Sequence, residues 1–556
     1  MESNDLGIDS QIEKSGWIQP FSRRSLIIAA VGVGAAGLIL PRESAGASSS
    51  ALHGLTKLAG GTPVRGGTFT LGLITAGSEE NAFPGTSASN PDWARTYNLY
   101  NFLFYLNDGK ELYPVVPGLA LSAEPNATAT SWVIKLRDGV TWHDGKPFNA
   151  DDVVYNFSHV WSNAQTNYSQ AILAGLVDFK NVKKLDNLSV QVPLLRPCAQ
   201  FPTVFAYFNF GVVQDGATQK SVAANPIGTG PFKFKSFTPG SQSVFVANKD
   251  YWETGKPYVD TLVINSSFTD DTSLLNALLS NQVNLVASPT LAQAREQIGS
   301  GTVQVLESFG ASQAYMFGMR VDKGPFVDNR VREAFKLLVN RPQMIDGAFS
   351  GFGKVGNDIL GPLTQYYGAN LKPTFDPEKA KSLFKAAGVE GHTFTWPTAN
   401  ALPGMVESAT ILSEQASAAG INVKVQVSNP GTYWTSAQGA YVRSASQNVY
   451  QPAGSLTINY LTNIVVGAPY QDTHWGSQKD GGAAANKLIF DAIEAVQPSK
   501  AAELWHEVQA QQVQQGGYLV WGSLPYLDLA AKSVRGLKAS GGFNFNNWRF
   551  CDGWLA

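Results

Sequence analysis

Cysteine is almost missing from this chain: Cys198 and Cys551 are the only two, far apart in the sequence. No C-x-x-C spacing exists, which argues against a structural zinc site, because such sites gather soft ligands at short spacing. A bridge between the two would need a geometry that spacing does not supply, and two inert buried thiols are the simpler expectation. Histidine is sparse as well, six residues scattered along the chain. There is no H-E-x-x-H helix and no G-x-S-x-G elbow, so the common signatures of metal-assisted and serine hydrolysis are absent. Charge is low: 15% of residues are charged, and 41 basic against 43 acidic residues leave a net −2. That balance excludes a strongly basic nucleic-acid binder, which needs cations to displace counterions from phosphates.

The N-terminal apolar run, Leu26 to Leu40, is shorter than a membrane span. It follows Ser22-Arg23-Arg24-Ser25-Leu26 and precedes Ala45-Gly46-Ala47, the outline of a cleaved export signal. The Ser-Arg-Arg-x-Leu context resembles the twin-arginine signal. Residues 1–47 are expected to be that signal and 48–65 a loose linker. Gly32 to Gly37 also matches G-x-G-x-x-G, but no strand–turn–helix surrounds it, so no dinucleotide site is expected there.

Against these shortages stands an abundance of rings: 13 Trp, 19 Tyr and 30 Phe. Such side chains fill cores, and Trp and Tyr also make stacking surfaces for ligands. A chain of 556 residues exceeds what one hydrophobic core usually holds, so two or more lobes are expected. The most informative stretch is Asn225-Pro226-Ile227-Gly228-Thr229-Gly230-Pro231-Phe232, a fixed turn. Alternating Phe232 to Phe237, a turn at Thr238-Pro239-Gly240-Ser241 and a return through Val246 predict a β-hairpin, followed by Asn248-Lys249-Asp250-Tyr251-Trp252.

P-x-G-T-G-P-F followed by N-x-x-Y-W resembles the extracellular solute-binding proteins, family 5, that serve peptide, nickel and related ABC importers. Further segments continue the resemblance, in order, from Gly66 to about residue 540. They include Gly66-Gly67-Thr68-Phe69, Trp142-His143-Asp144-Gly145-Lys146-Pro147-Phe148, Gln313 to Arg320, and Val331-Arg332-Glu333-Ala334. The resemblance implies an α/β, two-lobed periplasmic-binding-protein fold, type II-like and of cluster C, with an extra mixed α/β subdomain in lobe one. Lobe one is expected at 66–312 with the subdomain at about 98–222, lobe two at 313–522, and a C-terminal return to lobe one at 523–556.

Local signals fill in this frame. Asn149 caps a helix whose Asp151 and Asp152 suit the dipole, and Thr269 or Asp270, Asp376-Pro377 and Gly388 mark further helix ends. His143 beside Asp144 reads as part of a hairpin turn, since no nucleophile accompanies it. Arg330 and Arg332 read as solvated or paired helix charges. The β-α-β alternation around 258–286 and again around 393–427 predicts a mostly parallel sheet with helices on both faces.

By the resemblance, peptide-binding members hold the ligand ammonium with a lobe-two aspartate, often in an Asp-Pro segment. Here Gln415 to Gln471 contains no Asp or Glu. An ammonium closed into a cleft without a counter-charge is penalised, and pairing with a carboxylate from lobe one is the alternative left open. The same region offers Tyr433, Trp434, Arg443, Tyr450 and Gln451, and lobe one together with the crossing segments offers Asn90, Trp93, Tyr97, Tyr315, Phe317 and Trp521. Rings and amides suit an oligosaccharide-like solute and Arg443 an acidic one, with peptide a third option. The expectation is therefore a periplasmic or extracellular monomer, without cofactor, metal or catalysis. It would deliver a small solute to ABC permease transmembrane subunits. A secreted glycoside hydrolase, whose carboxylate pair leaves no short motif, and a ligand sensor are the competing classes.

Overall fold

The computed structural model describes residues 61–106, 115–362, 364–429, 433–434, 443–451, 454–468, 470–477, 482–538 and 543–556. The export signal and most of the linker read from the sequence lie outside the described residues. Strand β1 (Thr68–Ile74) buries Phe69, Leu71 and Leu73 at period two. Helix α1 (Asn90–Leu99) follows, its N-cap Ser89 accepting the Asp92 N–H at 3.4 Å. The subdomain then adds an antiparallel sheet of β2 (Ala120–Pro125), β3 (Ser131–Leu136), β4 (Lys183–Asp186) and β5 (Ser189–Pro193), in the order β2-β3-β5-β4, with helix α2 (Ala150–Tyr155) beside it. The chain returns through the hairpin β6 (Phe232–Thr238) and β7 (Gln242–Ala247). Strand β8 (Thr261–Phe268), helix α3 (Asp271–Leu279), strand β9 (Leu285–Ala287) and helix α4 (Leu291–Ser300) complete this part.

Strand β10 (Gln304–Met319) crosses to the second lobe. There α5 (Asn329–Leu338), α6 (Arg341–Phe349) and α7 (Pro377–Ala386) precede β11 (Thr393–Ala399), α8 (Met405–Ala418) and β12 (Asn422–Ser428). Strand β13 (Ala445–Tyr450) leads to α9 (Leu456–Asn463), α10 (Gly482–Glu494) and α11 (Pro498–Gln515), and β14 (Tyr518–Ala530) crosses back. No helix among the described residues is long and apolar enough to cross a membrane.

The main sheet runs β13-β10-β14-β9-β1-β8-β7-β6 and passes from one lobe to the other on β10 and β14. The sequence led to an expectation of mostly parallel pairing; the sheet is mixed. β1 has parallel neighbours in β8 and β9, but the β6–β7 hairpin and the returning β14 impose antiparallel ladders elsewhere. The β11–β12 pair, with α8 between, is parallel as its β-α-β pattern requires.

The 225–232 turn is explained by its neighbours. A Cβ on Gly228 would lie 1.8 Å from the Leu99 carbonyl oxygen, and one on Gly230 would lie 2.4 Å from that of Asn98, so only glycine fits against the end of α1. The Gly230 N–H then donates to Leu99 O at 2.9 Å. His143 closes the turn from the other side: its Nδ1 accepts the Gly228 N–H at 3.2 Å, leaving Nε2–H to donate to Gly230 O at 3.0 Å. Burial holds His143 down at about 4, the neutral form this pairing needs. Thr229 Oγ1 and Trp252 Nε1 both donate to Asn101 Oδ1 at 3.1 Å, which joins the turn to the Asn248–Trp252 segment.

Two expectations about charges change. Asp152 does more than face a helix dipole: buried, it accepts N–H groups from Asn149, Asp215 and the Trp142 indole. Arg332 is not solvated but 4% exposed, donating to the carbonyls of Phe326, Val327 and Gln515. Both cysteines are free and buried, and burial pushes the Cys198 thiol up to about 12.

Candidate functional site

The first wall starts with a loop that cannot drift. Arg95, fully buried, donates to Asp92 Oδ1 at 2.7 Å, Glu80 Oε2 at 3.0 Å and the Asn81 carbonyl at 3.0 Å, with its guanidinium over Phe237. Asp92 in turn accepts the Asn81 and Ala88 N–H groups. Paired and hydrogen-bonded in this way, the buried charges fix residues 80–92 and hence the start of α1.

From that start Trp93 projects half-buried, its ring centroid 5.0 Å from Phe208 and 5.6 Å from Phe543. Tyr97, one turn on, stacks on Phe102 at 4.5 Å and lies 6.3 Å from Phe543. Phe208 meets Phe543 at 5.7 Å, and Tyr526 of β14 meets it at 5.8 Å. Rings from three separate chain segments therefore converge on Phe543. The tail that supplies it makes a left-handed turn, with φ of 48° to 58° at Phe545, Asn546, Asn547 and Trp548. Buried Asp528 holds the turn by accepting Asn544 Nδ2–H at 2.6 Å and the Phe545 N–H at 2.7 Å, and Asn98 donates to Trp548 O at 2.9 Å. Burial pushes Asp528 up to about 7.

The second lobe meets this wall through amides. The Tyr526 hydroxyl donates to Gln451 Oε1, which also accepts from Gln313 Nε2 at 3.3 Å. Burial raises Tyr526, and the hydroxyls of Tyr315, Tyr207 and Tyr97 add to the shift. Glu307 on β10 is pushed up to about 7 by burial, with Lys354 offsetting part of the effect. The ladder between β10 and β14 is interrupted at this level. Ser308 pairs with Tyr526 and Ser312 with Pro525, so residues 309–311 stand unopposed.

The residues expected from the sequence fall into distinct places. Trp93, Tyr97 and Gln451 belong to the gathering around Phe543 and Tyr526, and Asn90 lies half-buried in the first turn of α1. Phe317 is a correction: it is fully buried, edge-on to Trp396 in the second-lobe core. Tyr315 and Trp521 are also fully buried, packed on each other and on Phe349. Alternation along the strand explains this placement, since neighbouring residues of β10 and β14 take opposite faces.

Tyr450 likewise turns away from Gln451, its hydroxyl donating to the Tyr470 carbonyl at 2.8 Å and lying 3.0 Å from Asp472 Oδ1. Asp472 is the first acid after the acid-free stretch, and Tyr518, Ser446 and Asn448 donate to it as well. Tyr433 is held by the Gln447 backbone, Trp434 donates to Asn448 Oδ1 at 3.0 Å, and Arg443 lies 3.5 Å from Gln426 Oε1. Sequence reasoning missed Phe543, Tyr526, Phe208 and Gln313. The run Tyr207-Phe208-Asn209-Phe210 was the one available signal, whereas Phe543 lies in a tail with no regular pattern.

Residues 114–464 match the model of bacterial extracellular solute-binding proteins, family 5 middle. The chain belongs to this family. Among its curated relatives, the dipeptide-binding protein of Escherichia coli K12 is 31% identical over 348 residues, covering 58% of this chain and 64% of that protein. Heme-binding protein A of Haemophilus influenzae is 28% identical over 319 residues, covering 53% and 57%. The chain thus spans less than two thirds of the length of these curated relatives. Among solved structures, the ABC transporter-associated periplasmic binding protein DppA of Helicobacter pylori, in complex with peptide STSA, superposes with a TM-score of 0.74 at 22% identity. It covers 88% of this chain and 98% of that one. This likeness carries the two-lobed family 5 fold, while the cargo of a family member is decided by its own site residues.

Proposed function

We propose that this protein is the substrate-binding component of an ABC importer, exported on a twin-arginine-type signal. It would capture a small solute between its lobes and hand it to membrane permease subunits. The observation that carries the reading is the seam itself: rings Trp93, Phe208 and Phe543 from one lobe face the Tyr526–Gln451–Gln313 hydrogen bonds to the other. A guest touching both walls favours the closed arrangement, which is how such a receptor signals that it is loaded. Names of family members support the class, as they include dipeptide-binding and heme-binding proteins.

For the cargo, we favour an oligosaccharide-like or acidic solute over a free peptide. Gln451, an amide, stands in the acid-free stretch, and the nearby Asp472 is already engaged by Tyr450, Tyr518, Ser446 and Asn448. Ring faces and neutral amides recognise hydroxyl and carbonyl groups, whereas an ammonium would have to draw on Glu307 or Asp528, carboxyls whose charged forms burial disfavours. A thermal-shift screen across sugars, organic acids and di- and tripeptides tests this. A sugar or acid should raise the melting temperature and short peptides should leave it within error. Gln451→Asp should gain a peptide response. A large shift of the unaltered protein with a dipeptide would overturn the choice of cargo while keeping the receptor; catalytic turnover of any solute would overturn the receptor.

A further inference from the structure

The lobes touch a second time, away from the backbone crossings, through the short segment after β5. Arg196 Nη1 lies 3.3 Å from Glu494 Oε1 at the end of α10, and its guanidinium sits 4.0 Å over the Phe490 ring one turn earlier. Gln200 uses both ends of its amide: Oε1 accepts the Thr457 hydroxyl at 2.9 Å, and Nε2 donates to Gln365 Oε1 at 3.1 Å. Thr203 gives its one proton to the Gln200 carbonyl at 2.7 Å, so at 2.8 Å the Ser455 hydroxyl must donate to Thr203 Oγ1. Ser455 is also the N-cap of α9, accepting the Ile458 N–H at 3.3 Å. Side chains of one subdomain segment therefore reach two second-lobe helices and the loop that carries Gln365, and Thr203 and Ser455 are buried in doing so. Trp132, Phe201 and Phe205 of the subdomain belong to the same buried apolar cluster as Tyr460 of α9 and Trp505 of α11.

We propose that residues 196–203 form an interlobe latch that holds the protein closed without a solute and slows the exit of one that is bound. Opening trades these contacts for water, and each is individually weak, so the latch biases the equilibrium rather than locking it. The segment belongs to the subdomain inserted into lobe one, so the insertion gains a task in controlling closure. Contacts made by the protein alone lower the differential affinity a solute must supply to keep the lobes shut.

The test uses no solute, so its outcome is independent of the cargo and transport readings. Spin labels are placed at Leu185→Cys, 48% exposed, and Lys500→Cys, whose native side chain is 53% exposed, and interlobe distances are read by pulsed electron resonance. The native cysteines are buried and stay unlabelled. The unaltered protein should show a dominant short-distance peak. Arg196→Glu should raise the long-distance population roughly fivefold, and adding Glu494→Arg should restore the starting distribution. Thr203→Val, close in volume, should shift the population the same way without touching the ion pair. A wild-type distribution already dominated by the long distance, or variants indistinguishable from wild type, would overturn the latch.

Discussion

His143 shows how a single residue can join two motifs that the chain keeps apart. The residue types spelled out a turn at 225–232 and another at 142–148, and both turns are present. What the sequence could not disclose is that one imidazole reads both glycines of the other turn, because that contact depends on how α1 and the subdomain pack. The pairing needs the neutral ring, and burial lowers its pKa to about 4 from an ordinary 6.5. Between these values the unfolded chain binds the extra proton, so the His143 contribution to stability is intact above pH 6.5 and is lost as pH falls toward 4. Integrated, the loss approaches about 3 kcal/mol. His143→Gln keeps an acceptor and a donor but does not titrate. Denaturant unfolding of both proteins at pH 7, 5.5 and 4 should show wild type losing ground to the variant as pH drops. Parallel profiles would contradict a buried neutral histidine. Asp528 and Glu307, both raised to about 7, push stability in the opposite direction, so the comparison with the variant is the measurement that isolates His143.

Elements were legible wherever their ends carried chemistry. Asn149 and Asp376 cap the helices they were expected to cap, and of the pair Thr269 and Asp270 it is Asp270 that caps, each by a side-chain oxygen accepting a backbone N–H. At the C-terminus of α11 only Gly516-Gly517 marks the end, and the side chains that cap it come from another helix. Lys336 of α5, 7% exposed, reaches the carbonyls of Gln512 at 3.3 Å, Val513 at 2.7 Å and Gly516 at 2.8 Å. Asn329 and Arg332 add bonds to Gln514 and Gln515. A cation against the negative end of a helix is favourable, but burial still lowers Lys336 to about 8. Lys336→Met keeps the volume of the stem and removes the donors, leaving three carbonyls to share fewer partners. Unfolding in urea should show a loss of about 2–4 kcal/mol with an unchanged slope. A loss below about 0.5 kcal/mol would mean that the carbonyls find other donors.

At the scale of the molecule, the two lobes and the order of their elements were readable because several motifs recur in sequence. The walls of the seam were less so, since they assemble from α1, residues 207–208, β14 and the tail. Along β14 alternation separates Trp521, in the core, from Tyr526, beside Gln451, whereas Gln313 shares the face of Tyr315 and Phe317 on β10 and meets Gln451 because it lies next to the interruption after Ser308. The same two strands decide whether the lobes can move. Three residues, 309–311, separate the pairs Ser308–Tyr526 and Ser312–Pro525, a wider interruption than the one-residue shift between Tyr315–Gly522 and Met316–Val520. A broken ladder bends at low cost, since few hydrogen bonds oppose rotation there, whereas a continuous one resists. Deleting 309–311 would place Ser312 directly after Ser308, opposite consecutive residues of β14, and close the gap in register. The shortened chain should still unfold cooperatively, because the deletion adds pairing to a sheet already formed. Its interlobe distances, measured with the same spin-label pair in the absence of solute, should collapse to one narrow peak. The Arg196→Glu change should then no longer shift them, as a stiffened crossing leaves the latch nothing to release. A distribution as broad as that of the parent would move the hinge elsewhere in β10 and β14.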